Sequence, residues 1–112
     1  MVEVFVGALA VGLLGGAGSV VRHLIGSWRG FLPWGILVAN SLASFIAGLA
    51  LSAGVNEVAL IIGLAGGLST FSTFAAQSYE LWAKGRRGRA LLNGVANLVF
   101  PAVSFLTASI LL

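Results

Sequence analysis

Gly66-Gly67-Leu68-Ser69-Thr70-Phe71-Ser72-Thr73-Phe74 is a glycine pair followed by alternating hydroxyls and phenylalanines, set inside an apolar run. Two glycines weaken a helix, and here they do so where the chain is apolar enough to cross lipid. A break in a bilayer is tolerated only where protein or a water-filled cavity satisfies the freed backbone groups, so the break points to an ion site. That reading requires the surrounding run to be a membrane span.

Composition supports the requirement. The 112 residues are 59% hydrophobic and 8% charged, with a mean hydropathy of +1.07, far from the balance of a domain with a polar surface. Cutting the chain at its charges and turn residues leaves four apolar segments, Val4 to Val21, Leu32 to Ala53, Val58 to Trp82 and Ala90 to Leu112. Each suits a hydrocarbon core that needs roughly 20 helical residues. The expectation is an all-α membrane protein of one domain, residues 1–112, with helices over 2–25, 32–53, 57–83 and 90–112, the third broken near its middle. Eleven of the sixteen glycines fall within the apolar runs, which indicates close helix packing through small residues. The absence of cysteine excludes disulfides, thiolate metal sites and cysteine nucleophiles. Glu3 stands where a signal peptide would carry Lys or Arg, so the first segment is read as a permanent helix.

In the first helix Gly7, Val11, Gly15, Gly18 and Arg22 fall on one stripe and Ala8, Gly12, Gly16, Ser19 and His23 on the next, a smooth face for a neighbouring helix. Arg22 ends the segment, where it serves either as a snorkelling interfacial anchor or to draw anions into a vestibule. His23 reads as an interfacial histidine. Pro33 and Trp34 open the second helix, as a first-turn proline and an interfacial tryptophan do. Asn40, Ser44, Gly48 and Ser52 recur every four residues along it. Asn40 lies roughly 12 Å from the helix start, near mid-membrane; its amide pairs either with another helix or with a permeating ion.

Gly54 to Glu57 make a tight turn into the third segment. Beyond the glycines, Phe71, Phe74 and Ser78 share one stripe and Thr70, Thr73 and Gln77 the adjacent one. Ring edges are electropositive, so phenylalanine edges beside hydroxyls suit a narrow path for a small anion, although phenylalanines at helical spacing also serve as packing. Lys84, Arg86, Arg87 and Arg89 fill the third connection, a cluster that could suit nucleic acid or anionic lipid but is most economically a topology signal beside a membrane span. In the fourth segment Asn93, Asn97, Phe100, Ser104 and Thr107 form another stripe, and Pro101 withholds a hydrogen bond from the Asn97 carbonyl, which predicts a kink.

At this point the residues resemble a known family. The nine-residue stretch from Gly66 to Phe74 is similar to the GGxTTFSTF signature of the small fluoride channels called Fluc or CrcB. Gly15-Gly16-Ala17-Gly18 with Arg22, Gly35 through Asn40 to Ser44-Phe45 and Gly48, and Ala90-Leu91-Leu92-Asn93 with Asn97-Leu98 agree with it. The resemblance implies two four-helix subunits inserted antiparallel as a dual-topology-type dimer, with fluoride pathways at their interface. It maps the pore phenylalanines to Phe71 and Phe74 and the pore asparagine to Asn40, with Ser72 and Thr73 offering hydroxyls beside them. It maps a polar track on the fourth helix to Ser104 first and Asn97 second. It further implies a structural sodium ion held by the backbone carbonyls of Gly66 and Ser69. Two positions depart from the family pattern: Ile36 replaces a common threonine and Gln77 a common glutamate, and both changes remove polar or charged groups near the pore.

Arg22, Arg29, Lys84, Arg86, Arg87 and Arg89 all fall at the first and third connections of a four-span chain. The positive-inside rule therefore puts those connections in the cytoplasm and both termini outside. So complete a bias is unexpected for a homodimer that inserts half its copies upside down, and it points to a heterodimer with a homologue of opposite orientation. The expected function is passive, fluoride-selective export across the plasma (inner) membrane. Glu3, Glu57 and Glu80 lie near predicted helix ends, which leaves no buried acid for proton coupling and disfavours a small four-helix drug exporter. A non-conducting partner subunit is the other alternative. No nucleophile, base and orienting residue occur together, so no enzyme is expected.

Overall fold

A computed structural model describes residues 1–54 and 63–111. The expected start of the third helix at 57, Val58, Glu57 and the chain end at Leu112 lie outside the described residues. Among the described residues five helices follow in order: α1 (Val2–Gly26), α2 (Trp34–Ser52), α3 (Gly66–Leu68), α4 (Phe71–Ala83) and α5 (Arg87–Ser109). Among the described residues, α1, α2 and α5 are long and apolar enough to cross a membrane.

The expected boundaries shift for identifiable reasons. The second helix begins at Trp34 rather than at 32, because the Leu32 carbonyl is already engaged by the backbone N–H groups of Gly30 and Trp34, at 3.0 and 2.9 Å. Pro33 is its N-cap. The last helix begins earlier than expected, at Arg87, so Arg87 and Arg89 belong to its first turn and not to the connection. Cations there oppose the helix dipole, and both are placed on aromatic rings: Arg87 lies 4.8 Å from the centroid of Trp82 and Arg89 lies 4.2 Å from that of Phe31. Helix α5 continues through Pro101. Gly54 turns the chain after α2 with φ +68, the left-handed conformation that favours glycine.

The larger correction concerns the glycine pair. Gly66 and Gly67 are helical, and the interruption falls two residues later, at Ser69 (ψ 150) and Thr70 (φ −154, ψ 118). The glycines serve packing instead. A Cβ at Gly67 would strike the Gly15 carbonyl oxygen, and one at Gly18 would lie 2.6 Å from the Leu64 carbonyl oxygen. Small residues on both sides thus let the backbones of α1 and α3 touch.

Helices α2 and α5 form the most extensive pair. Gly48 meets the Phe105 carbonyl and the Ala108 methyl, while Ala39, Ala43, Ala50, Ala96 and Ala108 are buried. The outer faces of α1 and α5 expose large apolar side chains, which suits a lipid solvent. On the α5 stripe Asn93 is buried and Asn97 half-buried, whereas Phe100 and Thr107 are exposed.

Candidate functional site

The backbone interruption is organised by one side chain of α2. In a continuous helix the Thr70 N–H would donate to the Gly66 carbonyl. It donates instead to Asn40 Oδ1, at 2.8 Å, and Asn40 Nδ2 donates back toward the Thr70 carbonyl, at 3.4 Å. The carboxamide thus takes the place of a peptide partner, which explains why the chain opens at Thr70 and not at the glycines. Thr70 then caps α4, its hydroxyl accepting from the Thr73 N–H at 3.1 Å, the arrangement that satisfies a first-turn donor. The Ser69 hydroxyl donates to the Gly66 carbonyl at 3.3 Å.

From Asn40 a one-way chain of amides crosses to α5 and back to α4. Asn40 Nδ2 donates to Asn97 Oδ1 at 2.9 Å. Asn97 Nδ2 donates to Asn93 Oδ1 at 3.0 Å and to the Asn93 carbonyl at 2.9 Å. Asn93 Nδ2 in turn donates to Ser78 Oγ at 2.9 Å. Asn93 is 1% exposed, and a polar group so placed in a membrane protein requires such partners. Sequence reasoning put Asn93 on a polar stripe but did not single it out, and it missed Thr70 and Ser78 as network members. The spacing of Asn93 and Asn97, one helical turn apart, was the available signal.

Beside the network lies an open cavity of about 570 Å³, lined among others by Asn40, Ser44, Thr70, Phe71, Phe74 and Asn97. The rings of Phe71 and Phe74 have centroids 5.8 Å apart and planes tilted by 56°, so edge and face are both presented. Phe71 is 79% exposed. Among the described residues no Asp or Glu is in the lining. Asn40, Phe71, Phe74 and Asn97 are therefore brought together, whereas Ser104 lies further along α5, outside this lining, and Ser72 is exposed on α4.

Thr73 faces a different cavity of about 370 Å³, shared with Arg22, Arg29, Ile36 and Gln77. The two positions that depart from the family pattern, Ile36 and Gln77, thus meet in one place, beside the arginine expected at a vestibule. Gly66 and Ser69 line a third cavity of about 260 Å³ together with Ser44. With Thr70 N–H turned to Asn40, the Gly66 carbonyl has the Ser69 hydroxyl as donor in place of its ordinary helix partner. Among the described residues no cluster of three or more His, Cys, Asp or Glu offers a metal site.

Comparison with known proteins places these residues in a family context. The profile described as CrcB-like protein, Camphor Resistance (CrcB), matches residues 9–109. A protein named Fluoride-specific ion channel FluC from Variovorax paradoxus is 34% identical, with 80% of this chain and 81% of the relative covered. Fluoride-specific ion channel FluC 2 from Haloarcula marismortui is 38% identical, with 83% and 82% covered. A Fluoride-specific ion channel FluC from Escherichia coli is 39% identical, with 81% of each chain covered.

Proposed function

The chain belongs to the CrcB family, and from that premise we propose that it provides a passive, fluoride-selective path out of the cytoplasm. The observation that carries the proposal is the cavity in which the Asn40 and Asn97 amides and the Thr70 region meet the tilted Phe71 and Phe74 rings. Fluoride is small and strongly hydrated, so a pore must replace its water with donors and positive dipole edges. Hydroxyls and ring edges supply both, and Asn40 joins them by exchanging its longest network bond, from Nδ2 to the Thr70 carbonyl at 3.4 Å, for the ion. Ser72 and Thr73 extend the donors toward the Arg22 side, and Ser104 offers one further along α5. The family is one of ion channels, not enzymes.

The pathway cavity is open on one side, and a second subunit in antiparallel orientation would close it. In this reading α3 and α4 are parts of one span, interrupted at Ser69 and Thr70, and the six cations mark the cytoplasmic end, with both termini outside. The carbonyls of Gly66 and Ser69 hold a structural sodium ion, which when bound supplies a fixed positive charge beside the anion path. A second reading is favoured by Ile36 and Gln77 lining the same cavity as Arg22 and Thr73. Loss of polar groups there suits a chain that conducts through only one path, or through none, in a heterodimer with a homologue.

Fluoride efflux from liposomes tests the proposal, first with this chain alone and then with a homologue co-reconstituted. Efflux in either case is expected. Its absence in both would overturn the channel reading, and efflux that is undiminished when sodium is replaced by N-methylglucamine throughout purification would overturn the sodium site.

A further inference from the structure

At the end of the bundle that carries the cations lies a cavity that the anion path does not use. It measures about 180 Å³ and is lined by Arg29, Gln77, Glu80, Lys84 and Arg86 among others. That is about six water volumes at ~30 Å³ each. It sits between the α1–α2 connection and the junction of α4 with α5.

Three observations define what it would accept. The first is charge: three cations face one carboxylate, Glu80, which pairs with Lys84 at 2.9 Å and with Arg29 at 3.9 Å. Arg87 and Arg89 nearby are taken up by Trp82 and Phe31, whereas Arg86 has no such ring. The second is the start of α5. Arg86 is its N-cap and no side chain caps the helix, so first-turn N–H groups beside this cavity lack a side-chain acceptor, an arrangement that favours anionic oxygens. The third is Gln77, which is 5% exposed and whose Oε1 is buried with no hydrogen-bond partner. A buried amide left in that state costs stability, and a bare phosphate has no donor to give it.

A ligand that combines a phosphate-like anion with a hydroxyl suits this lining, the hydroxyl reaching the edge of the Gln77 amide that borders the cavity as donor or acceptor. Its location decides the source. The Trp34 ring lies near Gly30 of the lining, and Trp28 and Trp82 adjoin the lining residues Arg29 and Leu81 in sequence; these are the chain's three tryptophans, the residues that mark headgroup depth. Phe31, 51% exposed, forms part of the wall and leads to the apolar outer surface.

We propose that this cavity binds the headgroup of an anionic glycerol phospholipid of the phosphatidylglycerol type, with phosphate oxygens on Arg29 and Arg86 and a glycerol hydroxyl on the Gln77 amide. Basic pockets between membrane helices are suited to such headgroups. Choline and ethanolamine would bring a further cation into a site already in positive excess. The proposal does not depend on fluoride permeation.

Native mass spectrometry of the intact protein released from detergent micelles tests it without fluoride present. The probes are dioleoyl phosphatidylglycerol, phosphatidylmethanol, which keeps the phosphodiester but lacks the glycerol hydroxyls, phosphatidylcholine, and soluble glycerol 3-phosphate. Wild-type protein should retain phosphatidylglycerol about fivefold better than phosphatidylmethanol, the worth of one neutral hydrogen bond, and at least about tenfold better than phosphatidylcholine. Arg86→Gln should weaken both anionic lipids about tenfold, and Gln77→Leu should abolish the preference between them. These wild-type comparisons stand even if a variant fails to fold. Equal retention of phosphatidylglycerol and phosphatidylcholine, or of phosphatidylglycerol and phosphatidylmethanol, would overturn the proposal. Binding of glycerol 3-phosphate as tight as that of the lipid would overturn it too, assigning the cavity to a soluble phosphate.

Discussion

Replacing Asn40 by leucine removes the group that holds the chain open at Thr70. The substitution keeps a similar volume but deletes three hydrogen bonds: from Thr70 N–H at 2.8 Å, to the Thr70 carbonyl at 3.4 Å and to Asn97 Oδ1 at 2.9 Å. They do not count equally. Leaving the Thr70 N–H without an acceptor costs about 1–3 kcal/mol. The Thr70 carbonyl bond is long and adds little. The amide pair with Asn97 is worth about 0.6 kcal/mol, the mean for polar pairs between membrane helices. The expected total is a loss of about 2–3 kcal/mol, dominated by the backbone donor rather than by the side-chain pair. Tryptophan fluorescence during unfolding in mixed micelles measures it. A double-mutant cycle of Asn40→Leu with Asn97→Leu separates the terms, because only the side-chain pair couples the two positions. A loss below about 0.5 kcal/mol, the range of an ordinary surface change, would refute the assignment of Asn40 as the support of the break. So would a coupling energy that accounts for the whole loss.

Two further outcomes follow from particular positions. Gly66→Ala and Gly67→Ala should differ sharply although adjacent: a Cβ at Gly66 meets nothing within 4 Å, whereas one at Gly67 runs into the Gly15 carbonyl. The first should be neutral or stabilising by up to about 1 kcal/mol through helix propensity, and the second should destabilise by about 1–3 kcal/mol through overpacking; equal melting temperatures for the two would contradict the α1–α3 contact. Phe71→Ile and Phe74→Ile should each lower fluoride efflux by at least about tenfold, the effect of losing roughly 1.4 kcal/mol of barrier stabilisation, while leaving the oligomeric state seen by size-exclusion chromatography unchanged. Wild-type rates in both variants would remove these rings from the path.

Much of this architecture is legible in the chain. Hydropathy and charge place three of the four expected spans close to the observed α1, α2 and α5, because a segment that must bury every backbone polar group in lipid has little choice but to be helical. The polar residues that matter are equally visible: Asn40 and Asn97 stand out because amides in apolar runs are costly. Boundaries were less legible. Arg87 and Arg89 look like connection residues until the rings of Trp82 and Phe31 are seen beneath them, and the pairing of Arg89 with Phe31 joins residues far apart in sequence.

The stretch from Gly66 to Phe74 divides the two kinds of information cleanly. Its composition alone determined that the chain changes conformation there and that hydroxyls and phenylalanines gather at the change. Only the tertiary structure decided where the change falls and what each residue does. A glycine is permissive toward both a break and a close helix contact, and local sequence cannot choose between them. The choice is made by the neighbours: Gly15 and Gly18 of α1 draw Gly67 into helix contact, and Asn40 of α2 offers Thr70 the hydrogen bonds that a continuing helix would otherwise have kept.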